Sequence, residues 1–415
     1  MSRRLPRPPI LPGYSSELVF FGIGLLLVLT VLAGSLSSRF GLPALIGFML
    51  LGMLAGSEGL GGISFENVGL AQGIGVLSLV FILFSGGLDT IWREVRGGAV
   101  PALLLATAGV IVSAAVVTVA AMWLLGFTPL QGFLLGSVVA STDAAAVFAI
   151  MRSRNMPLRD ELKGVIEVES GSNDPMAIFL VGAALLLIAV PETSPLALVP
   201  AFGVQMAVGA LVGYAIGVGF PALLRRARLR VGGLALVVSI AAALLSYGLA
   251  GLLQGNGFLA AYMAGIVAGA REFPSRRTIA MFQDGLAWLA QVLMFLTLGL
   301  LVFPSELVEV LGPGLAITAV LMFVARPLSV FLCLAPFRRY GWRSKLFVSW
   351  AGLRGAVPIV LATFPIVAGV PGAQSIFNIV FFVVLLSSVI QGPTLGWLAR
   401  RLGLDTPQPQ APSGH

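Results

Sequence analysis

The chain has 415 residues, of which 58% are hydrophobic and 10% charged, with 25 Lys and Arg against 17 Asp and Glu and a mean hydropathy of +1.01. Soluble domains carry about 25% charged residues, so water is not the main solvent here, and a soluble enzyme or a nucleic-acid-binding module is excluded. The single histidine, His415, is the last residue, and the single cysteine, Cys333, lies in an apolar run. Neither a histidine-based metal or relay site nor an internal disulfide can be built, and no cofactor is expected.

Apolar runs of about 20 residues, each long enough to cross some 30 Å of hydrocarbon, recur from Ser15 to Leu398. Helices satisfy their own backbone hydrogen bonds in lipid, so an all-α polytopic bundle is expected. Thirteen spans begin near Ser15, Pro43, Phe65, Gly98, Leu130, Arg159, Leu196, Val231, Asn256, Ile279, Val310, Leu346 and Ser375. The 51 glycines fit close helix packing and broken helices.

Basic residues fall in alternate loops: Arg39; Arg93 and Arg96; Arg152, Arg154, Arg159 and Lys163; Arg225, Arg226, Arg228 and Arg230. The series continues with Arg271, Arg276 and Arg277, then Arg338, Arg339, Arg343 and Lys345, and finally Arg400 and Arg401. The intervening loops carry Glu58, Glu66, Glu192, Glu306 and Glu309 without a Lys or Arg, so the basic set is placed in the cytoplasm. Thirteen spans then leave the N-terminus outside and the C-terminus inside. Arg3, Arg4 and Arg7 pull the other way, and they also fit the n-region of a signal peptide with Ala33-Gly34-Ser35 as a cleavage site. Residues 403–415 form a polar, Pro-rich tail, expected to be disordered.

Five charges stand in the middle of apolar spans: Asp143, Glu169, Asp174, Arg326 and Arg354. Each costs about 2.5–3.5 kcal/mol on insertion, so stability alone does not explain them. In the sixth span, Glu169 and Asn173 lie four apart, as do Ser170 and Asp174, which predicts one polar patch on a helix. Pro175 follows and gives no N–H to the carbonyl of Gly171, leaving an oxygen-rich spot for a dehydrated monovalent cation beside Asp174. Glu167 lies nearer the span end with Lys163 one turn before it, which reads as a surface pair. A Pro-kinked helix bonding its neighbours is the plainer reading of the sixth span.

In the fifth span, Ser141, Thr142 and Asp143 are helix-capping residues at mid-membrane, which predicts an interrupted helix with Asp143 facing positive helix ends. The twelfth span reads WAGLRGAVPIV; Gly352, Gly355 and Pro358 interrupt it, and Arg354 at the break offsets carbonyl ends. The two interrupted spans are seven apart in order and so cross in opposite directions. That is the pattern of inverted six-helix repeats, spans one to six against eight to thirteen, with the site where the broken helices meet.

ESGSNDP, an upstream STD, a later ARP and then WAGLRGAVP, in that order, resemble the NhaP-type branch of the bacterial monovalent cation/proton antiporters over essentially the whole chain. The resemblance implies a homodimer in the bacterial inner membrane, moving by an elevator-like step. It implies core helices at about 98–190 and 310–402, dimerisation helices at about 15–90 and 231–303, and a linker helix at about 196–225. By motif position it implies that Asp174 carries cation and proton alternately and that Asn173 stands where electrogenic relatives have a second aspartate. It further implies that Ser170 and Thr142 supply oxygen ligands, that Asp143 supports the site and that Glu169 pairs with Arg326. GSNDPMA is most similar to the potassium/proton antiporters of the branch, with Na+ or Li+ exchange as the alternative. Two departures stand out: the regulatory domain that often follows the last span in that group is not in this sequence, and Ser85 occupies a place where many relatives are acidic.

The carboxylate then couples the fluxes by competition, because cation and proton cannot both occupy Asp174. One titrating acid beside a neutral amide exchanges one proton for one cation without net charge. A cation channel also places carboxylates in a pore, but repeated subunits around a filter are its usual plan. A non-transporting receptor has no use for Asp174 and Arg354 at such depth.

Overall fold

The structure is a computed structural model describing residues 16–39, 42–91, 96–153, 156, 158–227 and 232–404. Arg3, Arg4, Arg7, Arg93, Arg154, Arg228, Arg230 and all but the first two residues of the tail lie outside the described residues, and with them the basic segment of the signal-peptide reading.

The helices are α1 (Ser16–Arg39), α2 (Ala44–Ala55), α3 (Val68–Asp89), α4 (Ala99–Leu125), α5 (Pro129–Val139), α6 (Ala144–Ser153), α7 (Asp160–Ala189) and α8 (Leu198–Ala227). They continue as α9 (Gly232–Leu252), α10 (Gly257–Gly269), α11 (Arg276–Leu300), α12 (Leu311–Cys333), α13 (Trp342–Trp350), α14 (Ala356–Val367) and α15 (Ala373–Leu402), with a short helix, Pro304–Glu309, before α12. Among the described residues, ten segments are long and apolar enough to cross a membrane and three shorter apolar helices complete the set. The chain is therefore an all-helical, multi-pass membrane protein. The fifth crossing is α5 with α6, and the twelfth is α13 with α14.

Local sequence explains the ends. Thr128 and Gln131 form a reciprocal cap on α5, the side chain of each accepting from the other's backbone N–H, with Pro129 in the first turn. Gly126, at φ 67°, stops α4 by entering the left-handed region that only glycine adopts freely. Asn67 and Asn256 cap α3 and α10.

The two halves repeat each other. The 12-residue α2 answers the 13-residue α10, and the 30-residue α7 answers the 30-residue α15. A π-helical turn interrupts α4 at Leu105–Gly109 and α12 at Leu321–Ala325. Even the close approaches recur: Gly52 on α2 packs backbone to backbone with Gly299 on α11, and Gly265 on α10 does so with Gly87 on α3. A β-carbon at any of the four would strike the opposite main chain, and lipid-embedded helices gain most from such small-residue contacts.

Packing sorts the helices into two groups. α2, α3, α10 and α11 pack on one another, with α1, α8 and α9 around them. The second group is α4, α5, α6, α7, α12, α13, α14 and α15. The groups meet chiefly where α14 lies on α3 and α7 on α10.

Candidate functional site

The site forms where the two interrupted crossings meet. α5 ends at Val139 and α6 starts at Ala144; α13 ends at Trp350 and α14 starts at Ala356. The two loops exchange a backbone hydrogen bond, Asp143 N–H to the Leu353 carbonyl at 2.8 Å. Asp143 Oδ1 accepts from the N–H of Ala146 at 3.0 Å, so its carboxylate caps α6. Its other oxygen lies against Gly355, the residue before α14, so closely that any β-carbon there would collide with the carboxylate. One acid thus faces the positive ends of both second half-helices.

Arg354 does the converse. Its Nη1 donates to the carbonyls of Ala140 at 2.7 Å and Ser141 at 2.6 Å, the open C-terminal end of α5, and the side chain is 2% exposed. Its backbone N–H goes to Ser387 Oγ at 3.1 Å on α15; Ser387 donates to Gln391, and Gln391 Nε2 reaches the Trp350 carbonyl at 3.0 Å. Both helix ends that face the break therefore have donors. Gly352 serves a different end from the one its sequence context indicates: a β-carbon there would strike the side chain of Arg326, so this glycine admits the arginine as well as loosening the helix.

α7 runs unbroken through Pro175 from Asp160 to Ala189. Its polar residues do not stay together as one patch. Glu169 turns to α12, where Arg326 donates to it through Nη1 at 2.5 Å and Nη2 at 2.9 Å, both side chains buried. Asn173, fully buried, turns to the α5–α6 break: its Nδ2 donates to Thr142 Oγ1 at 2.6 Å and its Oδ1 accepts from Thr142 N at 3.4 Å. Ser170 Oγ donates to the Thr142 carbonyl at 2.9 Å and accepts from Ala144 N at 3.0 Å. Asp174 is 6% exposed and accepts a short hydrogen bond from Ser141 Oγ. Among the described residues it has no Lys or Arg in ion-pair contact, unlike Glu169.

A cavity of about 990 Å³ opens onto these groups. Along α7 it is lined by Lys163, Glu167, Ser170, Gly171 and Asp174, and along α6 from Asp143 to Arg152. Residues 163, 167, 170, 171 and 174 recur at one-turn spacing, so one stripe of α7 leads from a charged helix end to the buried carboxylate. Lys163, exposed, and Glu167, half-buried, both line this cavity. Ser85 lines the cavity from α3.

The sequence named Asp174, Asn173, Ser170, Thr142 and Asp143, and all five lie at the α5–α6 break; Glu169 with Arg326 and Arg354 occupy its two flanks. It missed Ser141 as the direct partner of Asp174, and the Ser387–Gln391 relay behind Arg354. The second was readable: a Ser and a Gln one turn apart in an apolar span. Ser141 was not, because its reach to α7 depends on the angle of the broken helix.

Comparisons with known proteins identify the family and the fold. The model of the "Sodium/hydrogen exchanger, transmembrane" family matches residues 25–401. A K+/H+ antiporter NhaP of Alkalimonas amylolytica is 44% identical over 396 residues, covering 95% of this chain and 69% of the relative. A K+/H+ antiporter NhaP2 of Shewanella oneidensis is 40% identical over 396 residues, covering 95% and 68%. Among solved structures, the sodium proton antiporter MjNhaP1 of Methanocaldococcus jannaschii superposes with a TM-score of 0.80 at 23% identity over 93% of this chain and 99% of that one, a likeness of fold. The chain belongs to the sodium/hydrogen exchanger family and is a cation/proton antiporter of its NhaP branch, a transporter rather than an enzyme.

Proposed function

We propose that this protein exchanges K+ for H+ across the bacterial inner membrane, one for one, with Asp174 as the carboxylate that both ions share. The observation that carries the reading is the contrast on α7: Glu169 is locked to Arg326 by two hydrogen bonds, whereas among the described residues Asp174 has the Ser141 hydroxyl and an open cavity. A hydroxyl is a fitting companion for a group that changes protonation, since it donates to the carboxylate and accepts from the acid by rotating. A dehydrated monovalent cation replaces the proton and draws on Asp174, the Ser141 and Thr142 oxygens and Ser170. Asn173 adds an amide and no second titrating group, so no net charge moves. Potassium is favoured by the names of the relatives at 40–44% identity, while a relative from Aphanothece halophytica, 27% identical over 341 residues, is named a Na+/H+ antiporter.

The division of the helices supports alternating access by movement of one group against the other. The group made of α4 to α7 and α12 to α15 carries every site residue and serves as the moving core; α1, α2, α3, α9, α10 and α11 form the static, dimerising scaffold, and α8 joins the two. The cavity reaches Asp174 from the end that carries Arg152 and Lys163, so the positive-inside rule makes this state inward-facing, with the N-terminus outside and the C-terminus in the cytoplasm. The test is a vesicle reconstitution with an internal pH dye, challenged in turn with K+, Na+ and Li+ under opposed cation and proton gradients. With the potential clamped by a non-transported ion, the null point for proton flux should not move as the potential changes. A shift means an electrogenic exchange with a second titrating acid.

A further inference from the structure

Asn256 is the buried N-cap of the scaffold helix α10, and its surroundings fix it firmly. Its N–H donates to the Gln205 carbonyl on α8 at 2.9 Å, its Oδ1 accepts from Leu259 N at 3.0 Å, and Gly209 presses against its carbonyl with no room for a β-carbon. Only Nδ2 is left over. It donates at 3.1 Å to the carbonyl of Pro175, on α7 in the other helix group and next in sequence to Asp174. One turn back along α7, Gly171 lies against the phenol end of Tyr262, again from α10, and a β-carbon at Gly171 would strike it.

We propose that Asn256 and Tyr262 are positioning residues that latch the ion-carrying helix against the scaffold in this state. The proposal rests on the moving-core reading above. Two contacts one turn apart on α7 set both its height and its rotation against α10. Neither survives a displacement of the core by even a few ångströms. A hydrogen bond of 3.1 Å is lost beyond about 3.5 Å, and the contact of the Tyr262 phenol end with Gly171 is lost over a similar displacement. The donor is also held from behind: with its backbone and its Oδ1 already committed, Asn256 cannot follow the core. Because the Pro175 carbonyl is next to Asp174, the latch is read at the site itself. Its loss should change how the transporter divides between its states while leaving the ligands of the cation in place.

Asn256→Ser separates the latch from the cap, since serine is as good an N-cap but is too short to reach the Pro175 carbonyl. Spin labels on Cys333→Ser background, one replacing exposed Leu252 on α9 and one replacing exposed Trp397 on α15, report the displacement of core against scaffold in proteoliposomes. Losing one hydrogen bond of ordinary net strength should raise the ratio of displaced to undisplaced core about fivefold, with the thermal melting of the purified protein unchanged. Gly171→Ala, which crowds Tyr262 from the other side, should shift the ratio the same way. A distance distribution that responds to cation and pH but is identical in the parent and both variants overturns the latch and leaves the moving core standing. A single distance in every protein and condition overturns both.

Discussion

The fifth crossing breaks between Val139 and Ala144 and carries Asp143; the twelfth breaks between Trp350 and Ala356 and carries Arg354. The repeats that contain them match in helix lengths, π-turns and glycine contacts, yet the breaks are finished with opposite charges. Asp143 caps its own α6 and lies against the start of α14, Arg354 holds the α5 end of the other crossing, and Gln391 of α15 serves the α13 end. The comparison teaches that a pair of broken helices can be neutralised by its own two charges, which leaves the third buried acid, Asp174, without a Lys or Arg in ion-pair contact among the described residues, as the proposed ion-binding role requires.

The largest effect is expected where nothing compensates. Asp174→Asn removes the exchanging group and almost no volume, so cation-driven pH recovery in vesicles should vanish while the protein inserts and purifies as the parent does. Retained recovery would show that the unpaired acid is not the carrier. Next is the flank that is paired: Arg326→Ala strands Glu169 in the core and should cost about 3–5 kcal/mol, seen as loss of folded protein in detergent melting. If that variant melts like the parent, the pair is not structural. Arg354→Gln keeps a donor for Ala140 or Ser141 but removes the charge that faces the α5 end, an effect of up to about 2 kcal/mol, or roughly thirtyfold in turnover at unchanged expression. Equal turnover would mean that the opposite-charge symmetry is incidental.

The smallest effect lies far from both breaks. Glu58 accepts from Ser305 N at 2.9 Å and Oγ at 2.6 Å, and these bonds, the side-chain one first, hold its carboxyl below the ordinary 4.5. A lowered carboxyl contributes stability above its unfolded value and loses it as pH falls through the folded one. Glu58→Gln should therefore lower melting slightly at neutral pH and remove part of the decline below about pH 4.5, so that parent and variant converge in acid. Any change in transport at neutral pH would make this Glu58–Ser305 contact part of the cycle.

Much of this was legible in the chain. Each of the thirteen span starts read from hydropathy falls within four residues of a helix start, because runs of apolar residues and their caps are local signals. The mid-membrane charges picked out the site, since lipid makes each costly. Three things were hidden. The splitting of the α7 patch depends on which neighbour each face meets: Glu169 and Ser170 are adjacent in sequence and contact different helices. Ser141 reads as a capping residue, and only the break angle brings it to Asp174. Gly355 and Gly352 read as helix breakers, whereas both make room for charged side chains that lie more than a hundred residues away or on a separate helix.

The shared-carboxylate account rests on competition at Asp174, and the half-saturating K+ concentration of reconstituted protein, measured as a function of pH, examines that competition. If proton and cation exclude each other at one group, half-saturation should rise about tenfold for each unit of falling pH on the acidic side, with the maximal rate at saturating K+ unchanged. A half-saturating concentration that stays constant while the maximal rate falls would place the proton and the cation on separate groups and contradict the account.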